Sequence, residues 1–271
     1  MKEGRAISAA GGADSTDARI ALFAHERVAV VTGAGSGIGR GVARAMLDDG
    51  YRVALLGRHR DTLEATADGH PRALVAPADV SDAAAVDDAF GQIEGAWGRV
   101  DVLFNNAGMF PPAAHVDELD PADWNAALAV NLTGVMLCSA AAMRIMKRQR
   151  PQGGRIINNG SVSAHVPRPL AAAYTATKHA VSGLTKSLEL DGRAFGITCG
   201  QIDIGNAATH ITDDFGTDAG ALQPNGSRLV EPTFPVEDAA RAVLFMANVP
   251  ASATVNSLVI TASGMPFIGR G

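Results

Sequence analysis

Tyr174 and Lys178 stand four residues apart in the run Tyr174-Thr-Ala-Thr-Lys178. On a helix that spacing is just over one turn, so the phenol and the ammonium share a face. A free phenol has a pKa near ~10 and exchanges protons poorly at neutral pH. A neighbouring cation favours the phenolate and brings it toward the range in which acid–base catalysis works. A glycine-rich run lies upstream, Thr32-Gly33-Ala34-Gly35-Ser36-Gly37-Ile38-Gly39, between a β-rich segment and a helical one. Gly33 permits a tight turn, and the bare backbones at Gly35 and Gly37 let a pyrophosphate approach. Gly39 allows close helix–strand packing, while Ser36 and Ile38 open a helix whose N-terminal amides and dipole suit phosphate. If this turn holds a nicotinamide nucleotide, Tyr174 can exchange a proton with a carbonyl or alcohol while the nucleotide exchanges a hydride.

The next strand ends Leu55-Leu56-Gly57-Arg58. Folds that select NAD commonly place a carboxylate here for the ribose 2′-hydroxyl, and Gly57 supplies none. Arg58 could instead pair with the 2′-phosphate of NADP, which favours NADP(H) over NAD(H); the alternative is a solvated loop cation. Asp79-Val80, after the third strand, could accept from an adenine amino group and pack on its ring. Capping the following helix is the competing role for Asp79.

These residues need a scaffold, and the pattern supplies one. Short apolar strands at Arg27–Thr32, Arg52–Leu56, Ala73–Ala76, Val100–Asn105, Arg155–Asn159, Gly196–Ile202 and Ser257–Thr261 alternate with helical stretches. The helices are expected at Gly39–Asp49, Asp61–Ala67, Asp82–Trp97 with Ser81 as cap, Pro121–Lys147, Ala171–Arg193 and Val236–Ala247. Such alternation implies an α/β fold with a parallel sheet covered on both faces. Residues 1–24, rich in Ala, Gly, Ser and Asp, are expected to form a flexible leader, and 25–271 one domain. The stretch 207–235, rich in Gly, Asp, Thr and Pro, is longer than an ordinary connection and suits a lid.

Composition narrows the function further. The chain has 271 residues, 47% of them hydrophobic, with 30 glycines and a net charge of −5. That balance argues against nucleic acid or an anionic membrane as main partner. No run approaches the roughly 20 uninterrupted apolar residues of a membrane span, and the N-terminus lacks a signal-like apolar segment, so a cytoplasmic location is expected. Cys138 and Cys199 lie in apolar stretches and read as small buried hydrophobes. The seven histidines show no metal-ligand spacing.

Taken together, Thr32–Gly39, Asn105-Asn106-Ala107-Gly108, Asn131, Ser161, Tyr174 and Lys178 resemble, in order and spacing, the short-chain dehydrogenase/reductase family over roughly residues 26 to 263. The resemblance implies a single doubly wound Rossmann-type domain with a seven-stranded parallel sheet, assembled as a homotetramer or dimer. It implies that Tyr174 is the catalytic acid/base and that Lys178 lowers its pKa and holds the nicotinamide ribose. Ser161, thirteen residues before Tyr174, would orient the substrate oxygen; Ser163 takes that place if the register slips by two. Asn131 would hold a helix kink and a proton-relaying water, or merely satisfy buried backbone. Asn105, Asn106, Ala107 and Gly108 would line the adenosine and stabilise the central sheet.

Two segments depart from the family. Its Asn-Pro-Gly run appears here as Asp203-Ile204-Gly205, followed by Asn206 and, at its usual place, Thr209. Ile204 can still pack on the nicotinamide, and Thr209 can still bind its amide or the pyrophosphate. The C-terminal Thr261-Ala-Ser-Gly264 replaces a common Asp-Gly-Gly ending. Met109, Phe110, His165, Val166 and the residues from His210 to Phe215 are candidates for an apolar substrate pocket. The leading reading is an NADP(H)-preferring oxidoreductase that interconverts a ketone or aldehyde with an alcohol. A sensor that binds NADP(H) without turnover, or an epimerase or dehydratase on the same fold, are the alternatives.

Overall fold

A computed structural model of the chain describes residues 26–209 and 220–268. The expected leader and the candidate pocket residues from His210 to Phe215 lie outside the described residues. The first strand, β1 (Val28–Thr32), is buried along its whole length. It leads through the glycine-rich turn into α1 (Gly37–Asp48), then β2 (Arg52–Gly57), α2 (Arg60–Ala67), β3 (Ala73–Pro77), α3 (Ala83–Trp97) and β4 (Val102–Asn105). The second half runs α4 (Pro121–Leu128), α5 (Gly134–Arg148), β5 (Gly154–Asn159), α6 (Ala172–Gly192) and β6 (Ile197–Gly205). A small hairpin, β7 (Ala221–Leu222) with β8 (Arg228–Leu229), precedes α7 (Val236–Asn248) and β9 (Ser257–Thr261).

Seven strands form one sheet in the order β3-β2-β1-β4-β5-β6-β9, every pairing parallel. The chain winds outward from β1 to β3, then crosses back to β4 and winds the other way. The strand ends therefore part between β1 and β4, where such sheets hold their ligands. One face is packed by α3, α5 and α6 through Phe90, Ile93, Cys138, Ala142 and Leu188. The other is packed by α1 and α7 through Val42, Met46, Leu47, Val243 and Met246. Strands buried on both faces explain their continuous rather than alternating apolar runs. Cys138 and Cys199 are both free and buried in this core.

The structure adjusts several expected elements. Asp82, not Ser81, caps α3, its carboxylate accepting from the amides of Ala84 and Ala85. Ser81 is held instead by Asp79, which takes both its amide and its hydroxyl. The helix expected without interruption from Pro121 to Lys147 contains a π-helical turn at Ala129–Thr133, centred on Asn131. The whole run Pro121–Arg148, with a hydropathy of 1.8 over its most apolar window, is long and apolar enough to cross a membrane by length and composition. Its apolarity has a nearer use, since Cys138, Ala141, Ala142 and Ile145 are buried against the sheet. Finally, β6 continues three residues beyond Ile202, because Asp203, Ile204 and Gly205 pair with Val259, Ile260 and Thr261 of β9.

Candidate active site

The glycine turn and the ends of β2, β3 and β4 border a cleft of about 240 Å³. Gly33, Gly35, Ser36, Arg58, Asp79, Val80, Ala107 and Gly108 all line it, so most of the expected nucleotide residues converge. Gly33 has φ +64, and a Cβ there would stand 2.9 Å from the Ala107 Cα. A Cβ at Gly39 would collide with the Gly33 carbonyl. The turn can thus pack on the β4 end only without side chains at both places. Gly35 lines the cleft and has a second steric reason: a Cβ there would overlap the Thr62 hydroxyl, so its bareness also seats α2 against the turn. Thr32 ties the turn to the next strand, its hydroxyl accepting from the amides of Asn106 and Ala107 at 2.9 Å each. Asn106 returns a bond from Nδ2 to the Thr32 carbonyl at 3.0 Å.

Arg58 is exposed at the mouth of this cleft. Hydrogen bonds from the Ser81 hydroxyl and amide hold the Asp79 carboxyl below its usual range against the opposing effect of burial, and the Arg58 charge lowers it further. Thr209 reaches the turn, its Cγ2 lying 3.3 Å from where a Gly37 Cβ would stand. Ile204 is buried in the core between the sheet and α7 rather than lining this cleft.

Tyr174 and Lys178 both project from α6. The Lys178 ammonium is buried, donates to the Asn159 carbonyl at 2.7 Å and lies 5.4 Å from the Tyr174 ring centre. Burial lowers its pKa to about 8, with the Asp203 charge pulling the other way. For Tyr174, burial raises the phenol, a hydrogen bond with Ser161 lowers it, and the Asp203 charge raises it again. The phenol therefore lies above its ordinary value, not below it as the Tyr/Lys spacing leads one to expect. The ammonium sits over the ring face, bonded elsewhere, and its charge is itself weakened by burial.

The Ser161 hydroxyl also accepts from the Ser163 amide at 3.1 Å, capping a short 3₁₀ turn at Val162–Ala164. Ser161, not Ser163, is thus the serine paired with Tyr174. Asn131 holds the loop after β4: its Oδ1 accepts from the Met109 amide at 2.8 Å and its Nδ2 donates to the Met109 carbonyl at 2.9 Å. Its Nδ2 also reaches the Thr177 hydroxyl at 3.3 Å. Of the pocket candidates, Phe110 packs with its ring centre 4.7 Å from that of Tyr174, Met109 lines the cleft, and His165 bonds Asp203 at 2.8 Å. Among the described residues, no group of three or more His, Cys, Asp or Glu could hold a metal ion.

Two features escaped the sequence reading. Asp203 is a buried carboxylate behind Ser161. Glu231, 1% exposed, accepts from Arg168 and Gln223, and from Asn206 Nδ2 at 2.8 Å, with Asn206 itself at φ +60. This brace ties the segment after the 3₁₀ turn, the segment after β6 and the segment before α7 to one another. Asp203 and Asn206 depart from the family pattern, but nothing in the sequence pairs them with their partners.

A family model described as short chain dehydrogenase matches residues 27–220. The chain is 36% identical over 192 residues to a 3beta-hydroxysteroid dehydrogenase of Mediterraneibacter gnavus, covering 69% of this chain and 68% of that one. It is 35% identical over 246 residues to a cis-4-hydroxycyclohexanecarboxylate dehydrogenase of Sinomonas cyclohexanicum, covering 88% and 96%. Its fold is similar to that of a 3-ketoacyl-(acyl-carrier-protein) reductase from Brucella melitensis complexed with NADH, with a TM-score of 0.78, 28% identity, and 87% and 96% of the two chains covered. An actinorhodin polyketide ketoreductase with NADPH gives 0.77, 27% identity, and 88% and 97%.

Proposed function

As a member of the short-chain dehydrogenase/reductase family, the chain is an oxidoreductase acting on alcohol and carbonyl groups with a nicotinamide cofactor, and we propose that Tyr174 moves the proton in that exchange. The observation that carries this reading is the meeting of Ser161, Tyr174 and Lys178, with Phe110, next to the cleft-lining Met109, packed on the Tyr174 ring. The cleft fits a dinucleotide by its own geometry: the turn is bare at Gly33, Gly37 and Gly39, it opens a helix, and Arg58 stands at its mouth. Bound there, the nucleotide supplies or accepts the hydride.

The chain's residues do the rest. Ser161 orients the substrate oxygen, and Tyr174 gives that oxygen a proton in reduction or removes one in oxidation. Lys178 holds the ribose hydroxyls and Asn131 fixes the neighbouring loop and a proton-relaying water. Arg58, a cation with no carboxylate at Gly57 beside it, supports NADP(H) as the preferred nucleotide. Val80 would pack on the adenine and Asp79 would accept from it; Asn106, Ala107 and Gly108 would line the adenosine; Thr209 would border the nicotinamide end, while Ile204, turned into the core, would not. Exposed Met136 on α5 and Leu190 on α6 support a homo-oligomer, a dimer or tetramer, in the cytoplasm. The substrate is a small carbonyl compound or alcohol.

Tyr174→Phe tests the assignment. Turnover should fall by roughly 10²- to 10⁴-fold while nucleotide affinity, measured by calorimetry, changes little. Turnover near the wild-type rate refutes it. The altered loop at Asp203–Thr209, with Ile204 turned into the core, favours a second reading as an NADP(H) sensor. Tight NADPH binding with no conversion of any ketone or alcohol in a broad panel would select that reading.

A further inference from the structure

Asp203 is 1% exposed, at the end of β6 and against the end of β5. A Cβ at Gly160 would collide with its Oδ1, so the bare backbone there lets the carboxylate reach the neighbouring strand. Its Oδ1 accepts from the Ser161 amide at 2.9 Å and from Gln201 Nε2 at 2.7 Å. Its Oδ2 pairs with His165 Nε2 at 2.8 Å, and the His165 side chain is 43% exposed. A buried carboxylate is costly unless donors surround it, and three do so here. Among the described residues, the titratable groups facing it are His165 from the segment after the 3₁₀ turn and Tyr174 and Lys178 from α6; Gln201, on its own strand, is neutral.

We propose that Asp203 is a positioning residue for the reaction, its carboxylate fixing the Ser161 backbone and presenting one negative charge to Tyr174 and Lys178, with His165 bracing it from the solvent side. The proposal rests on the acid/base reading of Tyr174. Electrostatically, the carboxylate disfavours a second anion at Tyr174 and favours the cation at Lys178, as the influences on both groups show. Structurally, one oxygen of the carboxylate holds the amide of Ser161, whose own hydroxyl meets the phenol and accepts from the Ser163 amide.

The chain has only two tyrosines, which makes the charge measurable without turnover. Tyr51 is buried, donates to Asn248 Oδ1 at 2.8 Å, and is pushed by burial far above the usual phenol range. Burial raises Tyr174 as well, so the tyrosinate absorbance step that Tyr174→Phe removes on raising the pH is the one that belongs to Tyr174. Asp203→Asn keeps the shape and the Oδ1 acceptor but removes the charge. It should shift that step down by about one pH unit, a tenfold change in the ionisation constant, and shift the pH profile of turnover the same way. An unchanged step in folded Asp203→Asn overturns the proposal. Should Asp203→Asn not fold, the His165 variants decide: His165→Leu should lower kcat about tenfold with KM within about twofold, and His165→Gln, whose amide still donates, should restore most of it. Wild-type kcat in His165→Leu, or a rise in KM alone, overturns the bracing role. Turnover retained in Tyr174→Phe would instead sink the acid/base assignment, and the absorbance titration stands apart from that outcome.

Discussion

Replacing Glu231 by Gln removes one charge from the brace around the candidate site and nearly preserves its shape. Burial by itself would raise this carboxyl. Hydrogen bonds from Arg168, Asn206 and Gln223, with the Arg168 charge, outweigh burial and bring it from an ordinary 4.5 to about 2. At about 1.4 kcal/mol per pH unit, the difference corresponds to about 3 kcal/mol of stability. Because the folded value is depressed, that contribution is complete above about pH 4.5 and is lost as the pH falls toward 2. Glu231→Gln lacks this dependence and leaves the Arg168 guanidinium, which is largely buried, against a neutral partner. For a chain of this size, about 3 kcal/mol is a melting-temperature difference of roughly 6–12 °C at pH 7. Thermal melts of both proteins from pH 7 to 3 should show that gap narrowing to less than half. Parallel curves across that range would show that the brace holds no charge-dependent stability.

Arg58→Ala should weaken NADPH binding by roughly 10- to 100-fold, the scale of a charge-assisted hydrogen-bond pair, and leave NADH within about twofold. Equal losses for both nucleotides in calorimetry would mean that Arg58 does not read the 2′-phosphate. Gly39→Ala places a methyl against the Gly33 carbonyl and 2.5 Å from Asn106 Nδ2. It should cost about 1–3 kcal/mol and weaken both nucleotides together, so wild-type melting and affinity would show that the turn can open at no cost.

The main chain of the fold was readable because its signals are local. Buried parallel strands are continuous apolar runs, and the glycines of the first turn stand out by their spacing between a strand and a helix. Tyr174 and Lys178 were readable because helical spacing fixes their relation. What was not readable depends on partners far along the chain. Arg168 and Glu231 are 63 residues apart and no periodicity links them. The three extra residues of β6 follow from pairing with β9, more than fifty positions later. The second reason for Gly35 is of this kind, because the turn alone does not show Thr62 arriving from α2. The cap of α3 was placed one residue early because Ser81 and Asp82 are both good caps, and only the fold shows Asp79 occupying Ser81. The phenol's direction went astray for a related reason: spacing shows that a cation is near, and only burial shows how little it does there.

Both thiols of the chain lie in the core, where burial pushes each up to about 12. Since only the thiolate reacts, roughly one thiol in a hundred thousand is competent at neutral pH. Alkylating dyes and spin labels therefore meet a silent background, and a single cysteine introduced at exposed Val230, beside the Glu231 brace, would take the label alone. The native protein is in that sense already prepared for optical or magnetic reporting from the segment that carries the Glu231 brace.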